Sequence, residues 1–566
     1  MDIFTFPSMS QHQIFDYVIA GAGSAGCTLA ARLCEDPDVT VCLVEAGGNG
    51  NSLFVRMPAG NGFIFGNPRF DWGYESLPQA GLDGRTIYYP RGKGLGGTSL
   101  MNGLIYVRGN RLDFDRWHDL GIPGWRYADV LPYFKKSETA PHRNSEFHGQ
   151  TGPLKISPAE NYCPVSQMFV EAAQQAGAPL NHDFNGASQI GVGRFDATVF
   201  NGQRQSTSAT YLQQRPANLT ILTGTRVLRV EFSGNRASGL LIEGNAGPQT
   251  INAEREIVSC LGAFESPKLL MLSGVGPADH LRRHGIEPIV DLSGVGEALQ
   301  DHPNMPLTFE INDSSLSFAR YQRLDRAISL AMQYWFGKTG PATGPFWSTA
   351  LFHAFDGGEL PDLEVYCTPM VVREGAGGAG WSLQNILKPG RAILARGKTA
   401  TPGLQFDINL LRPESRGSIR LASTNPAEPP LIDPGYFSQQ KDVETLIDGA
   451  EHIRELTSQP AISKIVGNEI ALGPQVKSRS AMAAGLRRHI TTGHHPVSTC
   501  RIGADDDAQA VLDAEYRVRG VEGLLVVDAS AFPGQLSGNP NAAVIMMAER
   551  AADMLLARPQ LEPAQI

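Results

Sequence analysis

The hydrophobic pattern near the N-terminus predicts a strand, a glycine-rich turn, a helix and a second strand. Residues 15–20 (FDYVIA) form a short apolar run that is typical of a buried parallel strand. The segment CTLAARLCED after Gly26 predicts a helix, and residues 39–45 (VTVCLVE) predict a strand that ends in an acidic side chain. This order of elements is typical of a dinucleotide-binding βαβ unit.

The turn between the first strand and the helix carries the GxGxxG pattern, residues 21–26 (GAGSAG). In this pattern Gly21 makes the tight turn, Gly23 lets the backbone approach a pyrophosphate, and Gly26 lets the helix pack closely on the strand. Glu45 lies 24 residues after Gly21 and would accept hydrogen bonds from ribose hydroxyls. The motif alone is a weak signal, but its flanking elements are present, and they predict a dinucleotide site without separating FAD from NAD.

Composition narrows the function classes. Glycine makes up 62 of 566 residues, an excess over the usual roughly 7%, while the charged and hydrophobic fractions are those of a folded globular protein. The net charge of −9 argues against a nucleic-acid partner. Seven irregularly spaced cysteines without a CxxC pair indicate neither a zinc site nor a disulfide framework. Because no signal peptide or spanning apolar stretch is apparent, we expect a cytoplasmic protein without a membrane span.

Two further glycine clusters carry more information. Residues 90–109 (PRGKGLGGTSLMNGLIYVRG) combine six glycines with apolar residues, as expected of a loop that lies against a large flat ligand. Residues 262–277 (GAFESPKLLMLSGVGP) follow an apolar strand, REIVSCL, and begin a helix. They predict a second strand-to-helix turn at the same edge of the sheet.

Together these segments resemble the glucose-methanol-choline (GMC) oxidoreductases, flavoenzymes that oxidise alcohols. Residues 92–109 look like that family's first signature and residues 262–276 like its second. The resemblance covers almost the whole chain. It also includes the stretches 71–74 (DWGY), 294–303 (GVGEALQDHP), 410–423 (LLRPESRGSIRLAS), 493–503 (GHHPVSTCRIG), 524–530 (LLVVDAS) and 538–555 (GNPNAAVIMMAERAADML).

The resemblance implies that the cofactor is FAD. The residues it places at FAD are Gly21, Gly23, Ser24, Ala25, Gly26, Glu45, Ala46, Arg91, Gly96, Gly97, Thr98, Asn102, Val227, Asp528, Ala529 and Asn539. For Val227 an ordinary strand position is nearly as good an interpretation. Some relatives attach FAD through a histidine just before the asparagine of the first signature, and here that position is Met101, so we expect noncovalent FAD.

The catalytic base is expected in TTGHHPVSTC. The family's catalytic histidine comes directly before this proline, which implies that His495 takes the hydroxyl proton, and neutral imidazole suits that task. His494 is interpreted as structural, although the pair could be reversed. Asn539 would bind and orient the substrate oxygen, while Asn541 better suits capping of the following helix.

Three other residues complete the set of candidates. Ser498 stands where most relatives have glycine, without a consequence that the sequence defines. His302, in QDHPN, is interpreted as structural packing near the flavin, and His353 as a core histidine. No metal site is expected, because His302 has no second ligand at a suitable spacing.

The predicted fold class is α/β, with a doubly wound, Rossmann-like FAD domain interleaved with an α+β substrate domain built on an antiparallel sheet. Residues 1–155, 215–305 and 490–566 are assigned to the FAD domain, because they contain the cofactor motifs. Residues 156–214 and 306–489 are assigned to the substrate domain. Its predicted elements are the strand-like runs PDLEVYCTPM, GLQFDINLL and GSIRLAS and the helix DVETLIDGAEHIRELTS.

The resemblance predicts oxidation of a primary alcohol to its aldehyde, by hydride transfer to flavin N5, followed by reoxidation by O2 or a quinone-type acceptor. Residues 60–65, 344–355 and 371–381 could line the substrate pocket, and their Phe, Trp and Ile content favours an apolar or aromatic alcohol. Two alternatives stay open, a choline-type dehydrogenase and a hydroxynitrile lyase without net redox chemistry. The oligomeric state is not predicted.

Overall fold

The computed structural model describes residues 14–143, 146–160, 163–245, 247–322, 324–372 and 400–566. In chain order, the strands of its two large sheets are β1 (Ile14–Ala20), β2 (Val41–Glu45), β3 (Gly191–Arg194), β4 (Leu219–Thr223), β5 (Arg226–Ser233), β6 (Arg236–Gly244), β7 (Gly247–Ser259), β8 (Pro303–Ile311), β9 (Thr349–His353), β10 (Leu363–Thr368), β11 (Leu404–Leu410), β12 (Val466–Glu469), β13 (Thr491–Thr492) and β14 (Leu524–Val526). The longer helices are α1 (Ser24–Leu33), α2 (Arg111–Asp119), α3 (Tyr127–Ser137), α4 (Pro164–Gln175), α5 (Gly262–Leu272), α6 (Leu324–Met332), α7 (Gln440–Thr457), α8 (Arg479–His489) and α9 (Asn541–Leu555).

The first sheet has the strand order β4-β2-β1-β7-β6-β5, with β14 beside the C-terminal part of β7. Strands β1, β2, β4, β7 and β14 run parallel, whereas β5 and β6 form an antiparallel meander with the N-terminal part of β7. All five residues of β2 are buried, as expected of a parallel strand that is covered on both faces. The apolar run REIVSCL, predicted as a strand before the second signature, begins within β7 and forms its C-terminal end.

The second sheet is antiparallel throughout, in the order β12-β8-β11-β10-β9-β3, with β13 beside β8. Its strands alternate, so that one face is apolar and packs on α7, where Gly449 lies against Leu363 and Ile408. The opposite face carries polar side chains, including Glu364 and Tyr366, and these are buried too. A buried polar face needs a partner other than an apolar core.

The predicted fold class is confirmed, since a mixed α/β sheet with the GxGxxG turn is combined with a separate antiparallel sheet. Strands β8 and β13 lie in the antiparallel sheet, although their residues 303–305 and 491–492 fall just inside the bounds predicted for the FAD domain. The domain bounds themselves stay a prediction. Among the described residues, no helix combines the length and the apolar character needed to span a bilayer.

Candidate active site

The GxGxxG turn joins β1 to α1 with a geometry that requires its glycines. Gly21 has a φ of 94°, in the left-handed region that favours glycine. A Cβ on Gly26 would lie 1.9 Å from the carbonyl oxygen of Gly21, so that only glycine allows α1 to approach the strand this closely. Gly23 is the N-cap of α1 and has no side chain to cap the first-turn N–H groups, which suits an anion.

The second glycine cluster folds directly onto this turn. The Gly96 N–H donates to the Ala22 carbonyl at 2.7 Å. A Cβ on Gly97 would lie 2.6 Å from the Cα atom of Gly23. In the same loop the Gly92 N–H donates to Thr98 Oγ1 at 3.3 Å. The two motifs thus form one glycine-lined surface at the carboxyl end of the parallel strands.

Glu45 holds the parts of this surface together. Its carboxylate accepts hydrogen bonds from the backbone N–H groups of Ala22 (3.1 Å), Gly47 (2.7 Å) and Gly94 (3.0 Å). Burial raises the pKa of Glu45, and these three N–H donors oppose that effect. The carboxylate therefore has a structural task at the turn, and its predicted contact with a ribose stays a prediction.

Asp528 has a similar bridging position after β14. Its carboxylate accepts from the Gly262 N–H at 2.8 Å and from Ser266 Oγ at 2.6 Å, and so caps the start of α5. It also accepts from the N–H and the hydroxyl of Ser530, at 2.8 and 2.5 Å. The neighbouring Ala529 carbonyl accepts from the Ser498 N–H at 3.1 Å, which ties this segment to the predicted catalytic loop.

Asn102 is held by a residue that sequence reasoning missed. The Arg204 guanidinium donates to the Asn102 carbonyl (2.8 Å) and to its side-chain Oδ1 (2.7 Å), and also to Asn61 Oδ1. Burial lowers the pKa of Arg204 to about 9. No sequence pattern near Arg204 indicated this contact, because the two residues meet only through the fold.

The predicted base His495 is buried in the loop after β13. Its backbone N–H donates to Asp301 Oδ1 at 2.7 Å, and its carbonyl accepts from Gln535 Nε2 at 2.9 Å. Asp301 Oδ2 in turn accepts from the Thr492 and Tyr436 hydroxyls, both at 2.5 Å. Asp301 stands beside His302 within the stretch 294–303 that resembles the family, but no role was predicted for it.

A chain of hydrogen bonds fixes the tautomer of His495. His302 Nε2 lies 2.9 Å from the Leu536 carbonyl, which can only accept, so Nε2 carries the proton of neutral His302. His302 Nδ1 then accepts from His495 Nδ1 at 2.9 Å. The lone pair of His495 consequently lies on Nε2, which faces the Asn539 amide nitrogen at 3.0 Å. His302, predicted to be structural, therefore orients the proposed base.

The two histidines of this hydrogen-bonded series, His302 and His495, both have lowered pKa values, which favour their neutral forms. Burial lowers the pKa of His302 to about 4. Burial also lowers the pKa of His495 well below its ordinary value, and the neighbouring His302, His494 and Arg91 lower it further. A neutral imidazole whose Nε2 is unprotonated can accept a proton.

Asn539 links His495 to the antiparallel sheet. Its amide nitrogen donates to the Tyr366 hydroxyl at 3.2 Å as well as to His495. Tyr366 lies on the polar face of β10, with Trp347 and Phe195 at ring-centroid distances of 6.3 and 5.5 Å. Sequence reasoning missed Tyr366, although the alternation in LEVYCT was a signal of a two-faced strand.

The expectation that Asn541 caps α9 is wrong. Pro540 is the N-cap, and Asn541 is the first helical residue. Its Oδ1 instead accepts from the Ser24 hydroxyl at 2.7 Å. The start of α9 is therefore fastened to the start of α1, which brings the C-terminal motif to the fingerprint turn.

Around the site, Arg91 Nη2 donates to the His494 carbonyl at 2.7 Å. The His494 ring is exposed and lies 6.3 Å from the ring of Phe65.

Ser498 has a φ of 74°, which accounts for glycine at this position in relatives, and its buried hydroxyl has no hydrogen-bond partner among the described residues. Met101 is buried in a small apolar cluster beside the turn.

The segments predicted to line the pocket have different outcomes. Asn61, in 60–65, reaches the loop of the first signature, where its Nδ2 donates to the Asn102 carbonyl at 3.1 Å. Trp347, in 344–355, packs on Gly103, whose Cβ would lie 3.2 Å from the indole. The segment 371–381 lies almost wholly outside the described residues. His353 is half-buried, stacks on His452 at 4.3 Å and lies at the end of β9.

Val227 lies in β5, paired with Ile242, just after Gly224 and Thr225, whose N–H groups donate to the Gly47 and Glu45 carbonyls. Its predicted contact with the adenine, like the contacts predicted for Ala25 and Ala46, stays a prediction.

Within the described ranges, no group of three His, Cys, Asp or Glu side chains could hold a metal ion.

The residues present fit an FAD group. The uncapped start of α1 offers N–H donors to a pyrophosphate, and Gly23 leaves its approach open, since a Cβ there would meet protein only at 3.8 Å. The glycine-lined surface continues from this turn through Gly96 and Gly97 to Asn102. Arg91, just before this loop, contacts the His494 carbonyl and so connects the loop to the segment that contains His495.

The family profile described as GMC oxidoreductase matches the chain in two parts, residues 15–304 and residues 413–548. The "oxygen-dependent choline dehydrogenase 1" of Chromohalobacter salexigens is 38% identical over 99% of this chain and 98% of its own length. The "oxygen-dependent choline dehydrogenase" of Brucella anthropi is 37% identical over 96% of both chains.

Solved structures agree with this assignment. Pyridoxine 4-oxidase from Mesorbium loti superposes with a TM-score of 0.83 at 30% identity, over 96% of this chain and 100% of its own. Formate oxidase from Aspergillus oryzae gives a TM-score of 0.87 at 27% identity, over 97% and 99%. The predicted cofactor, FAD, and the predicted reaction class are thereby confirmed. The chain belongs to the GMC oxidoreductases, FAD-dependent enzymes that act on CH–OH groups.

Proposed function

We propose that this protein oxidises a small primary alcohol of the choline type, one that carries a quaternary ammonium group, to the corresponding aldehyde. The observation that carries the proposal is the orientation of His495, whose unprotonated Nε2 faces Asn539 beside the polar face of β10. The similarity over nearly the full length to choline dehydrogenases supports the choline-type substrate over the apolar alcohol favoured by composition.

In this proposal His495 Nε2 accepts the hydroxyl proton of the substrate. The Asn539 amide nitrogen, now 3.0 Å from Nε2, would donate to the substrate oxygen and hold it against the base. His302 keeps the His495 ring in place from the opposite side, and Asp301 fixes its backbone. FAD, when bound, supplies the acceptor for the hydride of the alcohol carbon.

The residues proposed to hold FAD are those at the glycine-lined surface, with Arg91, Thr98 and Asn102 toward the ring end. We expect the cofactor to be noncovalent, since Met101 offers no nucleophile at the position of the covalent histidine. We propose that O2 or a quinone-type acceptor takes up the electrons. A cytoplasmic location also stays a prediction.

An anaerobic titration of the holoenzyme tests the reaction class. Choline, an aromatic alcohol and a cyanohydrin are added separately while the flavin absorbance is followed. We expect choline to bleach the flavin, with the aromatic alcohol acting less well. Aldehyde release from the cyanohydrin without bleaching by any alcohol would overturn the proposal in favour of a lyase. Air is then admitted to the bleached sample, and rapid recovery of the absorbance would identify O2 as an acceptor.

The form of the cofactor is tested separately. Acid precipitation of the holoenzyme should release the flavin into the supernatant, because no covalent bond holds it. Flavin that stays in the precipitate would contradict the noncovalent assignment.

A further inference from the structure

We infer that an exposed apolar patch at the end of α6, formed by Ile328, Met332, Trp335 and Phe336, docks the protein on the surface of an anionic phospholipid bilayer. The inference goes beyond the proposed function, since the reaction at His495 uses none of these side chains. It concerns a helix that lies on the bilayer surface, with its apolar side chains inserted among the headgroups.

The patch follows from the spacing of apolar residues along α6. The helix ends at Met332 and continues as one π-helical turn, Gln333–Gly337. Met332, Trp335 and Phe336 stand four, seven and eight positions after Ile328, so that all four side chains share one face. Phe336 is 80% exposed and Trp335 61%, and the other two are more than half exposed. Such a concentration of exposed apolar side chains marks an interaction surface.

The opposite side of this segment is fixed to the rest of the protein. Tyr334 is buried, and burial raises its pKa to about 12, with the nearby cations Arg56 and Arg204 opposing that effect. A Cβ on Gly202 would lie 3.0 Å from the Lys338 carbonyl oxygen, so that the chain packs closely here as well. The segment is therefore held by its inner side, and the patch faces solvent.

Cationic side chains surround the patch. Residues 318–340 contain one acid, Asp325, and four cationic side chains, which are Arg320, Arg323, Arg326 and Lys338. The net charge of the whole chain, in contrast, is −9. Arg326 and Lys338 are exposed. A helix that combines exposed apolar and tryptophan side chains with flanking cations is typical of attachment to the surface of an anionic membrane.

A second copy of the chain is a poorer occupant of the patch. In a two-fold contact the patch would meet its own copy, which brings the two sets of cationic side chains together. A bilayer with anionic headgroups instead offers negative charge outside an apolar interior. The charge around the patch therefore favours the bilayer.

Sedimentation of the holoenzyme with sucrose-loaded vesicles tests the inference. The vesicles consist of phosphatidylcholine alone or of an equimolar mixture with phosphatidylglycerol, and flavin absorbance in the pellet reports the bound protein. We expect the parent protein to bind the mixed vesicles and to bind phosphatidylcholine much less. In Trp335→Ser the affinity should fall roughly tenfold or more, because a large apolar side chain is lost from the contact. Leu120→Ser is the matched control, since Leu120 is 63% exposed, and it should retain the affinity of the parent protein.

A charge variant and tryptophan fluorescence add two readouts. Lys338→Gln should weaken binding to the mixed vesicles about fivefold and leave binding to phosphatidylcholine unchanged. The fluorescence of the parent protein should shift to shorter wavelength on the mixed vesicles, and this shift should be absent in Trp335→Phe. Flavin content and turnover without vesicles should be those of the parent protein in every variant, which shows that each is folded.

Two results would overturn the inference. One is that the parent protein does not bind the mixed vesicles, or that Trp335→Ser binds them as tightly as the parent protein. The other is that light scattering finds a dimer that Trp335→Ser dissociates, without vesicle binding, which would assign the patch to a second copy of the chain.

Discussion

The glycine-lined surface at the end of the parallel strands and the polar face of the antiparallel sheet handle buried charge in opposite ways. At the glycine-lined surface, Glu45 and Asp528 are surrounded by backbone N–H and hydroxyl donors of the protein itself. On the sheet, Glu364 is fully buried, and burial raises its pKa to about 8, with only the Tyr366 hydroxyl opposing that effect. The first region therefore surrounds its buried carboxylates with several donors, whereas the second leaves a buried carboxyl with one.

This difference explains how the two regions respond to change. The glycine-lined surface depends on close backbone contacts, so a single added methyl group disturbs it. The polar face depends on a few side-chain hydrogen bonds, such as the one from Asn539 to Tyr366, so a substitution that removes one of these groups should disturb it. The hydrogen-bonded series His302–His495–Asn539 connects to the polar face, because Asn539 also donates to Tyr366. It depends on backbone contacts as well, because Asp301 holds the His495 N–H.

The largest effect is expected at Gly26. In Gly26→Ala the new Cβ would lie 1.9 Å from the Gly21 carbonyl, which forces α1 away from the turn. We expect loss of most of the bound flavin, measured by the ratio of absorbance at 450 and 280 nm, and destabilisation by about 1–3 kcal/mol. Gly48→Ala is the control, since its Cβ would meet nothing within 4 Å. Full flavin occupancy in Gly26→Ala would contradict the account of the turn.

The second prediction concerns the pH dependence of flavin reduction, which reports on His495 between the two regions. As the proposed base, His495 accepts a proton only in its neutral form, and its pKa is lowered well below the ordinary 6.5 by burial and then by His302, His494 and Arg91, with Asp301 as the nearby anion. For a neutral alcohol, kcat/KM for anaerobic flavin reduction should therefore stay level from pH 9 down to 6.5. It should fall only at lower pH, by up to tenfold per pH unit. An acid limb with its midpoint at or above 6.5 would contradict the buried, neutral base.

The smallest effect is expected at Ser498, which lies in the loop of His495 and donates its N–H to the Ala529 carbonyl. Its φ of 74° is a glycine conformation, and its buried hydroxyl has no partner among the described residues. Ser498→Gly should stabilise the protein by about 1 kcal/mol, seen as a slightly higher Tm. Ser498→Ala removes the hydroxyl but keeps the strained backbone, so it should be less stable than the glycine variant. Equal Tm values for the two variants would exclude a backbone origin.

The residues of the glycine-lined surface could be predicted from the sequence more completely than those of the polar face. The strand, turn and helix around residues 21–26 could be predicted because close backbone contact demands glycine at fixed spacing. The assignment of His495 and Asn539 came from family motifs, and the structure brings the two side chains to 3.0 Å. The meander of β5 and β6 was not predicted, and neither was the N-cap at Pro540, since both depend on tertiary packing.

The residues missed in the site share one property, which is that their partners are distant in the chain. Tyr366 meets Asn539 only when β10 is laid over the FAD-binding part, and Arg204 meets Asn102 in the same way. Local pattern marks β10 as a two-faced strand, but it does not say what its polar face covers. The position of Glu364 beside Tyr366 could therefore be recognised only from the fold.

The central claim, that His495 is the base, is tested most directly by single-turnover flavin reduction. The parent protein, His495→Ala and His494→Ala are mixed anaerobically with the alcohol that bleaches the flavin, at equal flavin content. The account predicts that the rate constant falls by about two to four orders of magnitude in His495→Ala and much less in His494→Ala. A rate near that of the parent protein in His495→Ala, with a large loss in His494→Ala, would contradict it.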